Sequence, residues 1–422
     1  MNSVPARATG SDVPVRAGRL PDAVAFVLLA SIVLVFLAGS SVPTPLYVLY
    51  QAEWHFSPIT TTIVFGVYAV AVLAALLTIG SLSDYVGRRP VLLVAIALQA
   101  VAMLLFVSAG GVSQLLAARI LQGLATGVAA GAIGAGLLDL HQARGTIANA
   151  VAPLMGTGTG AIGSGLLAQY LPDPTHLIYR VLFLAFILQA LGVLLMAETS
   201  PARAGALAAL RPRFALPAAT RRPFLVAVPA LVAVWSLAGL YGSLGPALVR
   251  QLVGVHSFVL TGLALFVLAA SGAVTVLFVR AVAPRTVLAL GSVALFSGVG
   301  ITLLSIAHAT AAGFFLGTAL AGVGFGAGFQ GALRTVLPLA APHERAGVLS
   351  LLYVVSYLAL GLPAVIAGFL VVHGGGVLPT AREYGLAVMA LALLALVGVI
   401  RPGCQHPSSL AATRACGRVI LG

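Results

Sequence analysis

Blocks of about 18 to 25 apolar residues recur along this 422-residue chain, and each is long enough to cross a hydrocarbon layer of about 30 Å as a helix. Short segments between them carry nearly all of the charge. A water-soluble domain has roughly a quarter of its residues charged. Here 7% are charged and 60% hydrophobic, with a mean hydropathy of +1.12. Lipid is therefore the expected solvent, and the chain reads as an all-α membrane protein. Twelve spans are expected, at Ala23–Tyr50, Ile59–Ile79, Val91–Ala109, Ser113–Leu138, Ile147–Tyr170, Leu177–Met196, Phe224–Leu248, Phe258–Val279, Thr286–Ala307, Ala311–Thr335, Gly347–Val372 and Tyr384–Ile400.

The net charge of +13 comes from arginine alone, placed between apolar blocks, which is a topology signal and argues against nucleic acid as a partner. With the N-terminus inside, the inner segments hold Arg7, Arg16, Arg19, Arg88, Arg89, Arg144, Arg203, Arg211, Arg213, Arg221, Arg222, Arg280, Arg285, Arg334, Arg345, Arg401, Arg414 and Arg418. The outer segments hold only Arg180, Arg250 and Arg382. Cationic loops resist translocation, so both termini are expected on the cytoplasmic side of a bacterial-type inner membrane. The arginines before the first block also resemble a secretory signal, but that block is of full spanning length and more spans follow. Cys404 and Cys416 lie in the polar C-terminal tail without metal-ligand company, so neither a disulfide framework nor a metal site is indicated.

The one long polar stretch in mid-chain, with Pro201, Pro212, Pro217 and five arginines, divides the spans six and six. The expected organisation is a tail over 1–22, a six-helix bundle over 23–196, a cytoplasmic linker over 197–223, a second bundle over 224–400 and a tail over 401–422. A weak internal repeat supports it. Gly87 to Leu92 (GRRPVL) resembles Ala283 to Leu288 (APRTVL), Gly123 and Gly127 resemble Gly322 and Gly326, and Gly160 corresponds to Gly361. Two similar halves around a mid-membrane site is a plan of alternating-access carriers.

The most informative stretch is GSLSDYVGRRP, residues 80–90, in the turn between the second and third spans. Gly80 permits close helix approach, Gly87 permits a tight turn at positive φ, and Asp84 with Arg88 and Arg89 forms a charge cluster. Asp139, at the end of the fourth span, is a plausible partner for either arginine. The glycine, the aspartate and the Gly-Arg-Arg run resemble the loop signature of the major facilitator superfamily. That resemblance implies two six-helix bundles related by pseudo-two-fold symmetry. It also implies a conformational gate of Gly80, Asp84, Gly87, Arg88, Arg89 and Asp139, with Asp84 meeting the start of the eleventh span near Arg345 to Ser350.

Arg119 lies inside an apolar block, where a charge costs at least ~2.5 kcal/mol on insertion scales. Arg119, Gln122 and Thr126 share one helix face, expected to line a central cavity; the bland alternative is an arginine that snorkels to the nearby interface. The surrounding RILQG resembles the family's fourth-span signature, which implies substrate binding or proton coupling at Arg119. Small residues at four-residue spacing, Gly123, Gly127, Gly131 and Ala135 in the fourth span and Gly156, Gly160 and Ser164 in the fifth, suit close packing or sliding contacts between helices. The fifth span resembles the glycine-rich signature of family exporters but lacks its Gly-Pro step, since Pro153 comes too early. Pro43 and Pro45 in the first span, and Pro246 in the seventh, are expected to bend helices around a solute path. Tyr47, Trp235, Tyr241, Gln330, Tyr353 and Tyr357 complete the candidate site, which is aromatic and mildly polar.

None of the nine acidic residues falls in the middle of a span; Glu53, beside His55, is the nearest candidate for proton exchange. No nucleotide-binding loop, metal-binding histidine pair or catalytic constellation is present, so neither an enzyme nor a cofactor is expected. The reading is a monomeric secondary transporter of a small organic solute in the lipid bilayer, working by alternating access, with protons the candidate coupling ion. Efflux of a drug-like or amphipathic metabolite is favoured; an uptake symporter and a non-transporting receptor remain open.

Overall fold

The computed structural model describes residues 20–212, 214–254 and 257–401. Residues 1–19 of the expected tail over 1–22 and residues 402–422 of that over 401–422 lie outside the described residues, and with them Arg7, Arg16, Arg19, Cys404, Arg414, Cys416 and Arg418, as does Arg213.

Twelve helices among the described residues are long and apolar enough to span a membrane. They are α1 (Asp22–Trp54), α2 (Pro58–Thr78), α3 (Arg88–Val107), α4 (Val112–Leu140), α5 (Gln142–Tyr170), α6 (Pro174–Leu195), α7 (Ala218–Ser243), α8 (Phe258–Ala281), α9 (Pro284–Ala307), α10 (Ala311–Leu339), α11 (Arg345–His373) and α12 (Val377–Ile400). Most ends fall within a few residues of those expected. The largest departures are two starts: α7 begins at Ala218, ahead of Phe224, and α12 at Val377 rather than Tyr384. In both cases charged residues (Arg221 and Arg222; Arg382 and Glu383) occupy the first helical turns, where hydropathy alone places a loop.

The helices form two six-membered bundles with one packing pattern used twice. In the first, α1 packs on α5, α4 and α6, α2 on α4, and α3 on α4 and α6; in the second, α7 packs on α11, α10 and α12, α8 on α10, and α9 on α10 and α12. Between bundles, α2 packs on α11 and α5 on α8. Each of these pairs maps onto the other when the halves are exchanged, as pseudo-two-fold symmetry requires.

The echoed glycines sit where neighbouring helix backbones press close together. A Cβ on Gly123 would stand 2.7 Å from the Tyr68 carbonyl of α2, and one on Gly127 2.6 Å from that of Val72. In the other half a Cβ on Gly322 would stand 2.4 Å from the Leu268 carbonyl of α8, and one on Gly326 2.3 Å from that of Gly272. The proposed correspondence of Gly160 with Gly361 is not matched by equal packing. Gly160 abuts Ala38 of its own half, whereas Gly361 faces Gly66 and Ala69 across the interface.

Large side chains such as Leu184, Leu188 and Leu191 are exposed on the outside of the bundles, as suits helices whose outer neighbour is lipid. For orientation, the face bearing the 80–90 turn and the 197–217 segment is called the arginine-rich face, and the opposite one the arginine-poor face.

Candidate functional site between the halves

Proline breaks the helical ladder because it has no N–H and crowds the preceding turn. Helix α1 is broken at Val42, between Ser41 and Pro43, and α7 ends at Ser243, before a further helix Gly245–Val253 with Pro246 in its first turn. The two breaks meet: the Thr44 hydroxyl donates to the Gly242 carbonyl at 2.9 Å. Around them lies a cavity of about 150 Å³. Its wall includes Ser40, Ser41 and Thr44 from α1, Phe65 and Tyr68 from α2, Pro153, Leu154 and Thr157 from α5, Leu265, Leu268 and Ala269 from α8, Trp235, Ala238 and Gly242 from α7, Phe325 from α10, and Tyr357 and Leu360 from α11. No lining residue carries a charge. Trp235 is held edge-on to Phe325 and Phe329, with ring centroids 6.0 and 5.4 Å away, and lies 5.6 Å from Tyr357. Its indole N–H is buried without an acceptor.

The cavity is shut toward the arginine-poor face. There Gly368 lies so close to Thr62 that a Cβ would sit 2.0 Å from the Thr62 hydroxyl oxygen; Gly66 faces Gly361 and Val365, and Gly242 faces the Phe65 ring. On the other flank a Cβ on Gly262 would stand 2.3 Å from the Ala161 carbonyl, and one on Gly165 2.4 Å from that of Phe258. The Phe258 amide also donates to Gln169 Oε1 at 3.0 Å. Toward the arginine-rich face glycines of α5, α8 and α11 turn to other neighbours, Gly145 to Leu137, Gly272 to Gly322, and Gly347 to Phe214 and Ala215; just past the end of α2, the Gly80 carbonyl lies 2.0 Å from where a Cβ on Gly131 of α4 would stand.

Arg119 is fully buried, so it does not snorkel to the interface. Nor does the face it shares with Gln122 and Thr126 border the cavity. Tyr68 and Phe65 stand in between, with the guanidinium carbon 4.5 Å from the Tyr68 ring centroid and 6.0 Å from that of Phe65. The guanidinium donates from Nη1 to the Ser40 carbonyl (2.9 Å) and Gln122 Oε1 (2.7 Å), and from Nε to the Val64 carbonyl (3.4 Å). Gln122 in turn donates to the Gly39 carbonyl at 3.0 Å, and the Thr126 hydroxyl to the Gln122 carbonyl at 2.8 Å. Arg119 Nη2 lacks a partner, and the nearby Tyr47 hydroxyl stands outside hydrogen-bond geometry. Among the described residues no carboxylate pairs with this cation.

The remaining expected residues scatter. Trp235 and Tyr357 line the cavity, and Tyr353 pairs with Tyr357 at 6.4 Å. Tyr241 points into the second bundle, hydrogen-bonded to Thr318 at 2.7 Å, and Gln330 is half-buried on α10 outside the cavity wall. Glu53, in the last turn of α1, and His55, just past it, are exposed. The small stripe Gly156, Gly160 and Ser164 meets α1 of its own half, where the Ser164 hydroxyl donates to the Val42 carbonyl at 2.8 Å. It is therefore not the surface on which the halves meet; Gly158, Ala161 and Gly165 form that surface.

The 80–90 turn is built as a clasp. Gly87 has φ +100. Asp84 pairs with Arg88 Nη1, and Arg88 Nε donates to Asp139 Oδ2 at 3.3 Å; Arg89 instead donates to the Leu194 carbonyl. Asp139 is thus a partner of Arg88 and not of Arg89. Glu198, which sequence reading passed over, accepts from the Arg88 and Arg89 amides at 2.7 and 3.0 Å, placing a carboxylate on the N-terminus of α3 where free amides and the helix dipole favour an anion. Next to it the Arg203 amide donates to the Tyr85 carbonyl at 2.7 Å. The expected meeting of Asp84 with the start of α11 is not seen in this state, in which Gly347 packs on Phe214 and Ala215.

The family model of the Major Facilitator Superfamily matches residues 29–362. The chain belongs to this superfamily, whose members carry small solutes across membranes. Among solved structures it is similar to the human organic anion transporter MFSD10 (TETRAN), with 19% identity and TM-score 0.62 over 89% of this chain and 100% of that one. It is also similar to a variant of the nucleoside transporter NupG, with 12% identity and TM-score 0.67 over 90% of this chain and 99% of that one. At these identities the likeness concerns the fold. No curated protein matches the chain.

Proposed function

We propose that this protein is a secondary transporter that exports a small amphipathic organic solute by alternating access. The observation that carries this reading is a cavity at the junction of two bundles, walled by both and shut at one face by the close approach of α2 to α11 and α5 to α8. The wall is largely apolar and aromatic, which suits a solute with a hydrophobic body better than a sugar with many hydroxyls. The moving bodies are residues 23–196 and 224–400, joined by 197–223. The arginine-rich face is cytoplasmic by the positive-inside rule, which puts both termini inside and makes this the inward-facing state. The protein acts as a monomer in the inner membrane. If protons are the coupling ion, they bind at acids near span ends, since none sits mid-span.

The 80–90 turn, with Asp139, serves as the gate of the opposite state. Asp84, with 53% of its side chain exposed, is free to reach the start of α11 when the arginine-rich ends close.

A thermal-shift screen of the purified protein against small organic compounds tests the reading, since a ligand of the folded state alone raises the unfolding temperature. Hits should be carried into or out of proteoliposomes faster than across empty vesicles. Hits that bind and are never carried would replace the transporter reading with that of a receptor.

A further inference from the structure

Two buried donors lack an acceptor, the indole N–H of Trp235 in the cavity wall and Arg119 Nη2 outside it, behind the Tyr68 ring. Neither can accept a hydrogen bond. The guanidinium is fully buried, its charge is matched only by carbonyl and amide oxygens and aromatic faces, and no lining residue carries a charge of either sign. In a medium of low dielectric the field of an unneutralised charge crosses one ring thickness with little loss. The cavity is therefore positive, and the indole N–H in its wall is a donor left for a bound acceptor.

We infer that the cargo class is the amphipathic organic anion, with its apolar ring against Trp235, Phe325 and Tyr357 and its anionic group at the Ser40 and Tyr68 wall in front of Arg119. This rests on the transporter reading and narrows it. A lipophilic cation meets the same aromatic wall but is repelled by the buried guanidinium. A cavity of about 150 Å³ is of the size that holds a single benzene-like ring, and the anionic group occupies the more polar α1 side, where Ser40, Ser41 and Thr44 lie.

The test uses two probes that share one ring and are permanently ionised with opposite sign, benzenesulfonate and phenyltrimethylammonium. Full-length protein is reconstituted in liposomes and efflux of each probe is followed against empty vesicles. Benzenesulfonate is expected to leave at least tenfold faster than the cation relative to those controls. Arg119→Gln should cut its flux at least tenfold, and Arg119→Lys should restore part of it. Faster carriage of the cation would overturn the anion assignment while leaving the transporter reading intact. Sulfonate flux unchanged in a folded Arg119→Gln protein would remove Arg119 from the assignment. If neither probe crosses faster than through empty vesicles and neither shifts the unfolding temperature, the anion assignment fails whatever the screen finds for other compounds. Should Arg119→Gln not fold, the comparison of the two probes in the unaltered protein still decides the class.

Discussion

At the scale of single residues, Arg119 and Gly87 separate function from stability. Arg119 makes three hydrogen bonds to neutral acceptors and none to a carboxylate. Losing it leaves Gln122 Oε1 short of a donor, at about 1–3 kcal/mol when buried, but also removes a buried charge that no partner neutralises. The two effects oppose each other. Arg119→Ala should therefore insert and fold with a modest change in unfolding temperature, while flux in proteoliposomes falls at least tenfold; flux at the unaltered level would take Arg119 out of the mechanism. Gly87 works the other way. Its φ of +100 is one that residues with a Cβ rarely adopt, and a Cβ there would stand 2.7 Å from a Glu198 carboxylate oxygen. Gly87→Ala should cost about 1–3 kcal/mol, read as a lower unfolding temperature, and should loosen the start of α3. That Gly87 needed positive φ was legible from the tight Gly-Arg-Arg turn. That Glu198 caps the same helix was not, because a carboxylate 110 residues away in sequence leaves no local trace of its partner.

At the scale of elements, what sequence revealed and what it hid have one physical cause. Spans, their breaks at Pro43 and Pro246 and the glycine echo between α4 and α10 are local or periodic, and all are found in the structure. Which face of a span meets which neighbour is different. Lipid is as apolar as a packed interior, so a helix that is hydrophobic all round carries no stripe to mark its inner face. The i, i+3 and i+7 spacing puts Arg119, Gln122 and Thr126 on one face of α4, yet Tyr68 and Phe65 of α2 stand between that face and the cavity. The stripe on α5 was visible, but not that Gly158 and Gly165 beside it face α8. These contacts make the seal testable. Gly368→Val forces a side chain into Thr62 and should bias the protein away from the state shut at the arginine-poor face. An impermeant thiol reagent added from that face should then label a cysteine at position 65 several-fold faster, and Thr62→Ala should partly reverse the effect. Equal labelling with and without the valine would mean that this approach does not form the seal. At the other end, Asp84→Asn should slow flux several-fold while thermal-shift affinity for a carried compound stays within about twofold, because Asp84 is not part of the cavity wall and pairs with Arg88 beside the turn. Collapse of affinity with flux preserved would reverse that assignment.

At the scale of the whole molecule, the anionic cargo proposed above ties the direction of transport to the membrane potential. The acids of the sequence fall at span ends or in loops and tails, and the buried ion beside the cavity is Arg119. A carrier without a mid-span proton acceptor moves the charge of its cargo, and an anion leaving the cytoplasm gains about 2.3 kcal/mol per 100 mV of inside-negative potential. Such a potential, roughly a fifty-fold bias in distribution per 100 mV, suffices for export without a coupled ion. Proteoliposomes loaded with benzenesulfonate should therefore empty faster under an inside-negative potassium diffusion potential, and more slowly when its sign is reversed. A pH gradient imposed with the potential clamped at zero should have little effect on this permanently ionised probe. Response to the pH gradient and indifference to the potential would show instead that a proton travels with the cargo, and would turn attention to Glu53, Glu383 and the other acids near the membrane surfaces.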